Sequence, residues 1–245
     1  MPHFFINSKN INSSQIIVDD KENYNHIAKS LRANIGEKLL LIDENRVEYT
    51  TNIKEITNKT IVCEIVSSEV SKRDLKYNLF LAQSPLKSDA QLTIMEKATE
   101  LGVRGIYPIY TDNCALKKTV AEHKVEKWQK VMYEASKQCE RATIPTCFEL
   151  TTLEKVLTEN SFDKIIALCE RHTNDSLKNY LRNNPVKENE NILLIIGPEG
   201  GFSTSEFQLF KDKNFPMLSL GDLILKAETA VIMTLGNVVY EYGEW

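Results

Sequence analysis

Asn191-Ile192-Leu193-Leu194-Ile195-Ile196-Gly197-Pro198-Glu199-Gly200-Gly201-Phe202-Ser203-Thr204-Ser205-Glu206 is the most informative stretch of the 245-residue chain. A short apolar run, bounded by turn residues, reads as a strand covered on both faces. The glycines after it permit positive φ and let a ligand approach the backbone closely. Ser203-Thr204-Ser205-Glu206 has the S-x-x-E form of a helix-opening capping box. The order strand, glycine loop, helix N-terminus is a general cradle for an anion or nucleotide. In an open parallel sheet, ligands bind beyond the carboxyl ends of strands. The loop is neither a Walker A loop nor G-x-G-x-x-G, and a turn that merely joins two elements would look the same. Six of the nine glycines (Gly197, Gly200, Gly201, Gly221, Gly236, Gly243) fall in the last 49 residues, which draws the site toward the C-terminus.

Upstream, strand-like runs occupy 77–83, 105–110 and 164–169, and another follows at 215–220. Helical patterns lie between several of them. In 90–101, Ile94, Ala98 and Leu101 share a face, and Gly102 supplies a stop. In 123–141, Val125, Trp128, Met132, Ala135 and Cys139 form an apolar stripe, with Pro145 barring continuation. Alternating strands and helices predict an α/β domain with a largely parallel sheet. Residues 1–72 read differently. The β-rich runs 38–43, 46–53 and 60–66, with one helical stretch at 24–32, suggest a small barrel or sandwich. Ser67–Asp74 is polar and charged and reads as a linker.

The second glycine-bearing segment runs from Leu218 to Ala230. The helix expected after it, Glu228 to Tyr242, is apolar nearly all round, so it needs cover on several sides, in the core or at a dimer interface.

Composition sets bounds. With 42% hydrophobic and 26% charged residues the chain reads as an ordinary globular protein, and no apolar run has the length of a membrane span. The opening residues lack the features of a signal peptide, so a cytoplasmic location is expected. The five cysteines (Cys63, Cys114, Cys139, Cys147, Cys169) have no C-x-x-C spacing and predict neither a disulfide framework nor a zinc site. His3, His26, His123 and His172 are scattered and without metal-ligand spacing, so no metal is expected. The net charge of −4 gives no basic footprint. Residues 104–141 hold eight Lys/Arg against five acids, a local excess as compatible with a solvated helix surface as with an RNA-facing one.

Five motifs, in order, resemble the bacterial 16S ribosomal RNA (uracil-N3) methyltransferases of the SPOUT superfamily. They are the opening Met1-Pro2-His3-Phe4-Phe5-Ile6 with His26, Leu31, Arg32 and Gly36; Glu96-Lys97-Ala98-Thr99-Glu100-Leu101-Gly102-Val103; Ala135, Gln138 and Arg141; Ile196 to Phe202; and Leu220-Gly221, Ile224-Leu225 and Glu228-Thr229-Ala230. The resemblance implies a PUA-like β-barrel RNA-binding domain (1–72) before a SPOUT methyltransferase domain (73–245) with a C-terminal trefoil knot, working as a homodimer on 16S ribosomal RNA in the small ribosomal subunit. It implies S-adenosyl-L-methionine bent among three loops, with Leu168 and Glu170, with Gly197, Glu199, Gly200 and Gly201, and with Leu218, Leu220, Gly221, Ile224 and Leu225. Gly200 is expected to leave its side-chain space to the donor. Lys226 is the candidate for stabilising the N3 anion of uracil or orienting the base, and Arg141 for guiding the RNA at the catalytic centre. Arg32, Gln138 and Arg141 are the candidate RNA contacts, with Glu134, Gln138 and Arg141 sharing a helical face. The chain departs from the family where His3, Ala90, Leu223 and Lys226 stand in place of arginine. Ribose 2′-O-methylation of transfer RNA, or an RNA-binding relative that has lost catalysis, are the alternatives.

Overall fold

The computed structural model describes residues 3–171, 173 and 175–243. His172 therefore lies outside the described residues. The chain divides into two compact units, residues 1–74 with 136–143, and residues 75–135 with 144–245.

The first unit is a six-stranded sheet in the order β1-β4-β5-β6-β3-β2. Its strands are β1 (His3–Phe5), β2 (Ile11–Asn12), β3 (Gln15–Val18), β4 (Lys38–Ile42), β5 (Val47–Ile56) and β6 (Ile61–Val70). A short helix α1 (Lys21–Tyr24) runs directly into a π-helical turn over Asn25–Ser30. The β4–β5 hairpin turns over Asp43, whose carboxylate accepts from the N–H groups of Asn45 and Val47. Phe4, Ile16, Val18, Ile27, Leu41, Ile53 and Ile61 form the core. The expected linker is shorter than its composition suggests. Ser67–Val70 continue β6 and pair with β5 from Val47 to Thr50. Their polarity reflects an exposed sheet face, because all four are solvent-exposed.

The second unit is a seven-stranded sheet ordered β11-β13-β10-β12-β7-β8-β9. Its strands are β7 (Asn78–Gln83), β8 (Gly105–Pro108), β9 (Thr146–Cys147), β10 (Lys164–Leu168), β11 (Asp175–Ser176), β12 (Asn191–Ile196) and β13 (Met217–Ser219). Every neighbouring pair is parallel. The helices are α2 (Ser88–Glu100), α3 (Lys118–Glu122), α4 (Val125–Gln138), α5 (Leu153–Glu159), α6 (Leu177–Asn183), α7 (Thr204–Asp212) and α8 (Ala227–Tyr242). β12 lies near the centre, and its alternate residues enter two separate cores. Ile192, Leu194 and Ile196 join a core with α2 and α8, while Leu193 and Ile195 join Phe202, Phe210 and Met217 on the other face. That is why its sequence shows an unbroken apolar run instead of alternation.

Two expectations change. The helix drawn over 123–141 stops at Gln138. Glu140 adopts left-handed φ of 57°, and the Arg141 N–H donates to the Ser136 carbonyl at 3.1 Å, a Schellman-type closure. Arg141 is therefore beyond the helix, and the shared face with Glu134 and Gln138 does not exist. The nearly all-apolar helix α8 buries much of itself within its own chain. Val231, Leu235 and Val238 are inaccessible to solvent. Thr229, Met233, Asn237 and Tyr240 remain exposed along one side.

Candidate functional site

Three loops leave the carboxyl ends of adjacent strands β13, β10 and β12 and enclose a cavity of about 480 Å³. This is a volume typical of small-molecule sites. The loop after β10 contributes Leu168 and Glu170, and the loop after β12 contributes Gly197, Glu199 and Gly201. The loop between β13 and α8 contributes Leu220, Gly221, Ile224, Leu225 and Lys226. These ten residues are among those singled out in the sequence.

Two others are not in the lining. Leu218 is 1% exposed and belongs to the core shared with α2 and α8, because β13 alternates its side chains between the two faces of the sheet. Gly200 faces away from the cavity. A Cβ there would lie 3.1 Å from Asn113 Cβ, so a larger side chain would press on that neighbour before reaching a ligand. The tight turn closed by the Gly201 N–H on the Pro198 carbonyl, at 3.0 Å, sets these opposite orientations of Gly200 and Gly201.

Backbone conformation favours glycine at two points of the lining. Gly201 has φ of 69°, and a Cβ there would fall 2.9 Å from Glu170 Oε1. Gly221 has φ of 126°, a region that L side chains rarely adopt. Beneath the β12 loop, the Phe202 ring packs edge-on against Phe210 with centroids 4.9 Å apart. α7 then starts on the expected capping box. The Glu206 N–H donates to Ser203 Oγ at 3.3 Å, and the Ser203 N–H donates to Glu206 Oε2 at 2.8 Å.

The charged lining is Glu170, Glu199, Glu228 and Lys226. Lys226 is the N-cap of α8, in extended conformation and without a side-chain capping bond. Lys226 lines the cavity where α8 begins, and a lysine and the first N–H groups of a helix both favour negative charge. Cys169 also lines the cavity. Burial, helped by neighbouring Glu170, pushes its thiol up to about 12, so it is protonated and unreactive at neutral pH.

The three loops read from the sequence did not include Ala90, Ile196, Phe202, Ala227, Glu228 and Ala230, which also line the cavity. Ala90 lies on α2, more than 100 residues before the glycine loop, and reaches the cavity because β7 pairs with β12. Three of the four departures from arginine, Ala90, Leu223 and Lys226, line this one cavity. The fourth, His3, is 1% exposed in the first unit.

Arg141 is not at the cavity. It belongs to the first unit, is 7% exposed, and its guanidinium lies 3.5 Å from Asp74 Oδ1. Its guanidinium is engaged within the first unit, and Arg141 is not among the residues that line the cavity. Gln138 and Arg32 are exposed in the first unit. Arg32 has left-handed φ of 53° just after the π-helical turn. Among the described residues no group of three or more His, Cys, Asp or Glu could hold a metal ion. No described helix is long and apolar enough to cross a membrane. The five cysteines are free thiols.

The RNA methyltransferase domain family matches residues 73–239, and the RNA methyltransferase PUA domain family matches residues 18–66. Ribosomal RNA small subunit methyltransferase E of Rickettsia conorii is 28% identical, covering 96% of this chain and 93% of its own length. The protein of the same name from Mesomycoplasma hyopneumoniae is 29% identical, covering 98% and 99%. A methyltransferase from Legionella pneumophila, solved in complex with the bound cofactor SAM, superposes with a TM-score of 0.85 at 28% identity, over 99% of this chain and 98% of its own. The chain belongs to the RNA methyltransferase domain family, with an RNA methyltransferase PUA domain ahead of the matching region.

Proposed function

We propose that this protein transfers the methyl group of S-adenosylmethionine to N3 of a specific uridine in 16S ribosomal RNA of the small subunit, in the cytoplasm. The observation that carries the reading is the cavity at the carboxyl edge of the parallel sheet, with glycine backbone on two sides and Lys226 at the start of α8. The names of the relatives and the cofactor held by the Legionella protein support it. The lining fits the donor. Gly201 and Gly221 leave room against the backbone, and three carboxylates to one lysine suit a cationic ligand.

When bound, S-adenosylmethionine supplies an electrophilic methyl group on a positively charged sulfur. The protein holds the acceptor base in line with that group. Positioning of this kind accounts for roughly 7–11 kcal/mol of a barrier in well-oriented systems. Uracil N3 carries a proton at neutral pH and becomes anionic as it is lost. Lys226 and the first N–H groups of α8 stabilise that charge. Glu170, Glu199 and Glu228 are the lining carboxylates available to accept the proton.

In the same reading, residues 1–72 form the RNA-binding domain and residues 73–245 the methyltransferase domain. Arg32 and Gln138 contact the RNA, and the three lining loops are those a SPOUT trefoil knot would bring together. The active form is a homodimer. The exposed stripe of α8, with Tyr240 at 78% exposure, and the neighbouring Leu223 and Ile224, at 80% and 69%, offer apolar surface for a second copy. The chain is acidic overall, so attraction to phosphate is weak, and the target is recognised by shape in the assembled subunit.

The test measures methyl transfer to assembled small subunits, naked 16S RNA and a short hairpin, with mass spectrometry of the product nucleosides. N3-methyluridine made on small subunits, and much more slowly on the hairpin, is expected. A ribose-methylated product, or no product on any substrate, would refute the reading.

A further inference from the structure

We propose that the turn after β8, Thr111–Cys114, is a brace that holds the glycine loop and the α2 wall of the cavity in position, with Asn113 as its principal positioning residue. This rests on the reading of the cavity as the donor site. On one side, the Asn113 side-chain amide donates to the carbonyls of Gly201 at 3.1 Å and Gly200 at 3.4 Å. Next to it, the Asp112 carboxylate accepts from the hydroxyls of Ser203 at 2.6 Å and Ser205 at 3.0 Å. The Asp112 N–H donates to Glu206 Oε1 at 3.2 Å, so the capping box of α7 is itself gripped from outside its helix.

On the other side the same turn reaches the loop after β7. The buried hydroxyls of Thr111 and Ser84 share a hydrogen bond of 2.6 Å. The Cys114 thiol donates weakly to the Pro85 carbonyl at 3.5 Å. That loop is fixed to α2, because the Leu86 N–H donates to Oε1 of the buried Gln91 side chain at 2.7 Å. Gln91 is the neighbour of Ala90, which lines the cavity. Hydrogen bonds joined by short stretches of backbone thus run from Gly201 to Asn113, along the turn to Thr111, on to Ser84 and, through Leu86, to Gln91. It joins two walls of the cavity that lie on different chain segments.

The physical consequence concerns the backbone. A turn with left-handed Gly201 and little side-chain bulk is soft by itself, since glycine carries the largest conformational entropy. Ligand contacts made by backbone groups are only as well placed as that backbone. Preorganising it in the free protein removes an ordering cost from binding. Asn113 does this without touching the ligand, because the side of the loop it grips at Gly200 faces away from the cavity.

The experiment uses the full-length protein and two variants, Asn113→Ala and Asn113→Asp. The second keeps the size of the side chain, but a carboxylate cannot donate to the carbonyls of Gly200 and Gly201. Amide hydrogen exchange is followed at residues 200–206, and S-adenosylmethionine binding is measured by calorimetry. Both variants should exchange faster over this stretch and bind S-adenosylmethionine roughly three- to tenfold more weakly, the worth of one or two neutral hydrogen bonds. With saturating donor and RNA, kcat should stay near wild type while the donor KM rises. Asn113→Gln, which retains the amide, should recover part of the affinity. Wild-type exchange in both variants, or faster exchange with an unchanged Kd, would overturn the proposal. Failure of the wild-type protein to bind S-adenosylmethionine would instead sink the functional reading, and the exchange arm would still decide whether the brace exists.

Discussion

The guanidinium of Arg141 lies 3.5 Å from the carboxylate of Asp74, with the two side chains only 8% and 14% exposed. Arg141 also donates to Thr143 Oγ1, which in turn donates to Asp74. The pair closes the polypeptide just after the end of α4. Arg141→Ala leaves the largely buried Asp74 carboxyl without its guanidinium partner. The expected loss is about 2 kcal/mol of stability, within the range for charged hydrogen bonds. Chemical denaturation should show it, while methyl transfer per folded molecule stays close to wild type. Loss of activity in a protein of unchanged stability would contradict this assignment.

Lys226 makes the opposite prediction. It is exposed and lines the cavity at the head of α8. Lys226→Ala should lower kcat on small subunits about a hundredfold or more, the scale on which removing one group that stabilises developing charge acts. The affinity for S-adenosylmethionine should stay within roughly twofold, because a cation beside the cavity gives a cationic ligand no attraction. Lys226→Arg should retain most of the rate. Single-turnover kinetics and calorimetry on the same preparation separate the two effects.

Gly201 should be the least tolerant glycine of the lining. Its φ of 69° costs an L-residue about 1 kcal/mol, and an added methyl group obliges the flexible end of the Glu170 side chain to move out of its place in the lining. Gly201→Ala is expected to lower both the melting temperature and the affinity for S-adenosylmethionine. Gly200→Ala should act through Asn113 instead, and it should reproduce the faster amide exchange expected of Asn113→Ala. Equal behaviour of Gly201→Ala and the wild-type protein in calorimetry would count against a ligand lying along this loop.

His3 gives the protein a pH dependence. Burial holds its imidazole below the ordinary value of 6.5, Glu48 and Glu140 act in the raising direction, and Arg73 reinforces the lowering. Neither ring nitrogen has a hydrogen-bond partner among the described residues. A folded pKa below the unfolded one means that this contribution is fully present above pH 6.5. It is lost as the pH falls from there through the folded value, because the unfolded chain then binds the proton first. Urea midpoints for the wild type should therefore drop between pH 7.5 and 5.5 by more than those of His3→Leu. Parallel curves for the two proteins would show that His3 contributes nothing to the slope.

The exposed stripe of α8 sets the expectation for assembly. Met233→Glu with Tyr240→Glu places two charges on the two large hydrophobic residues of that exposed stripe. If a second copy covers it, light scattering should show a monomer in place of a dimer, with methyl transfer lost and melting little changed. A wild-type protein that is already monomeric and fully active would remove the dimer from the mechanism.

The sequence by itself determined what depends on neighbours in the chain. The apolar run of β12, the turn over Gly197–Gly201 and the capping box from Ser203 to Glu206 are local, and each carries its physical cause within a few residues. The segment from Gly221 to Lys226 was legible for the same reason. The β-rich runs of the first unit already suggested a small barrel or sandwich, and the motif resemblance added the identity of the ligand, which periodicity does not contain. Tertiary structure decided the rest. The end of α4 depended on Glu140, a residue whose type does not announce a left-handed conformation. The burial of Arg141 depended on Asp74, a partner 67 positions upstream. Ala90 and Asn113 came to the glycine loop only because parallel pairing places β7 beside β12 and β8 beside β7. Such contacts join residues about 90 to 110 positions apart, and they leave no periodicity or composition from which a single sequence could reveal them.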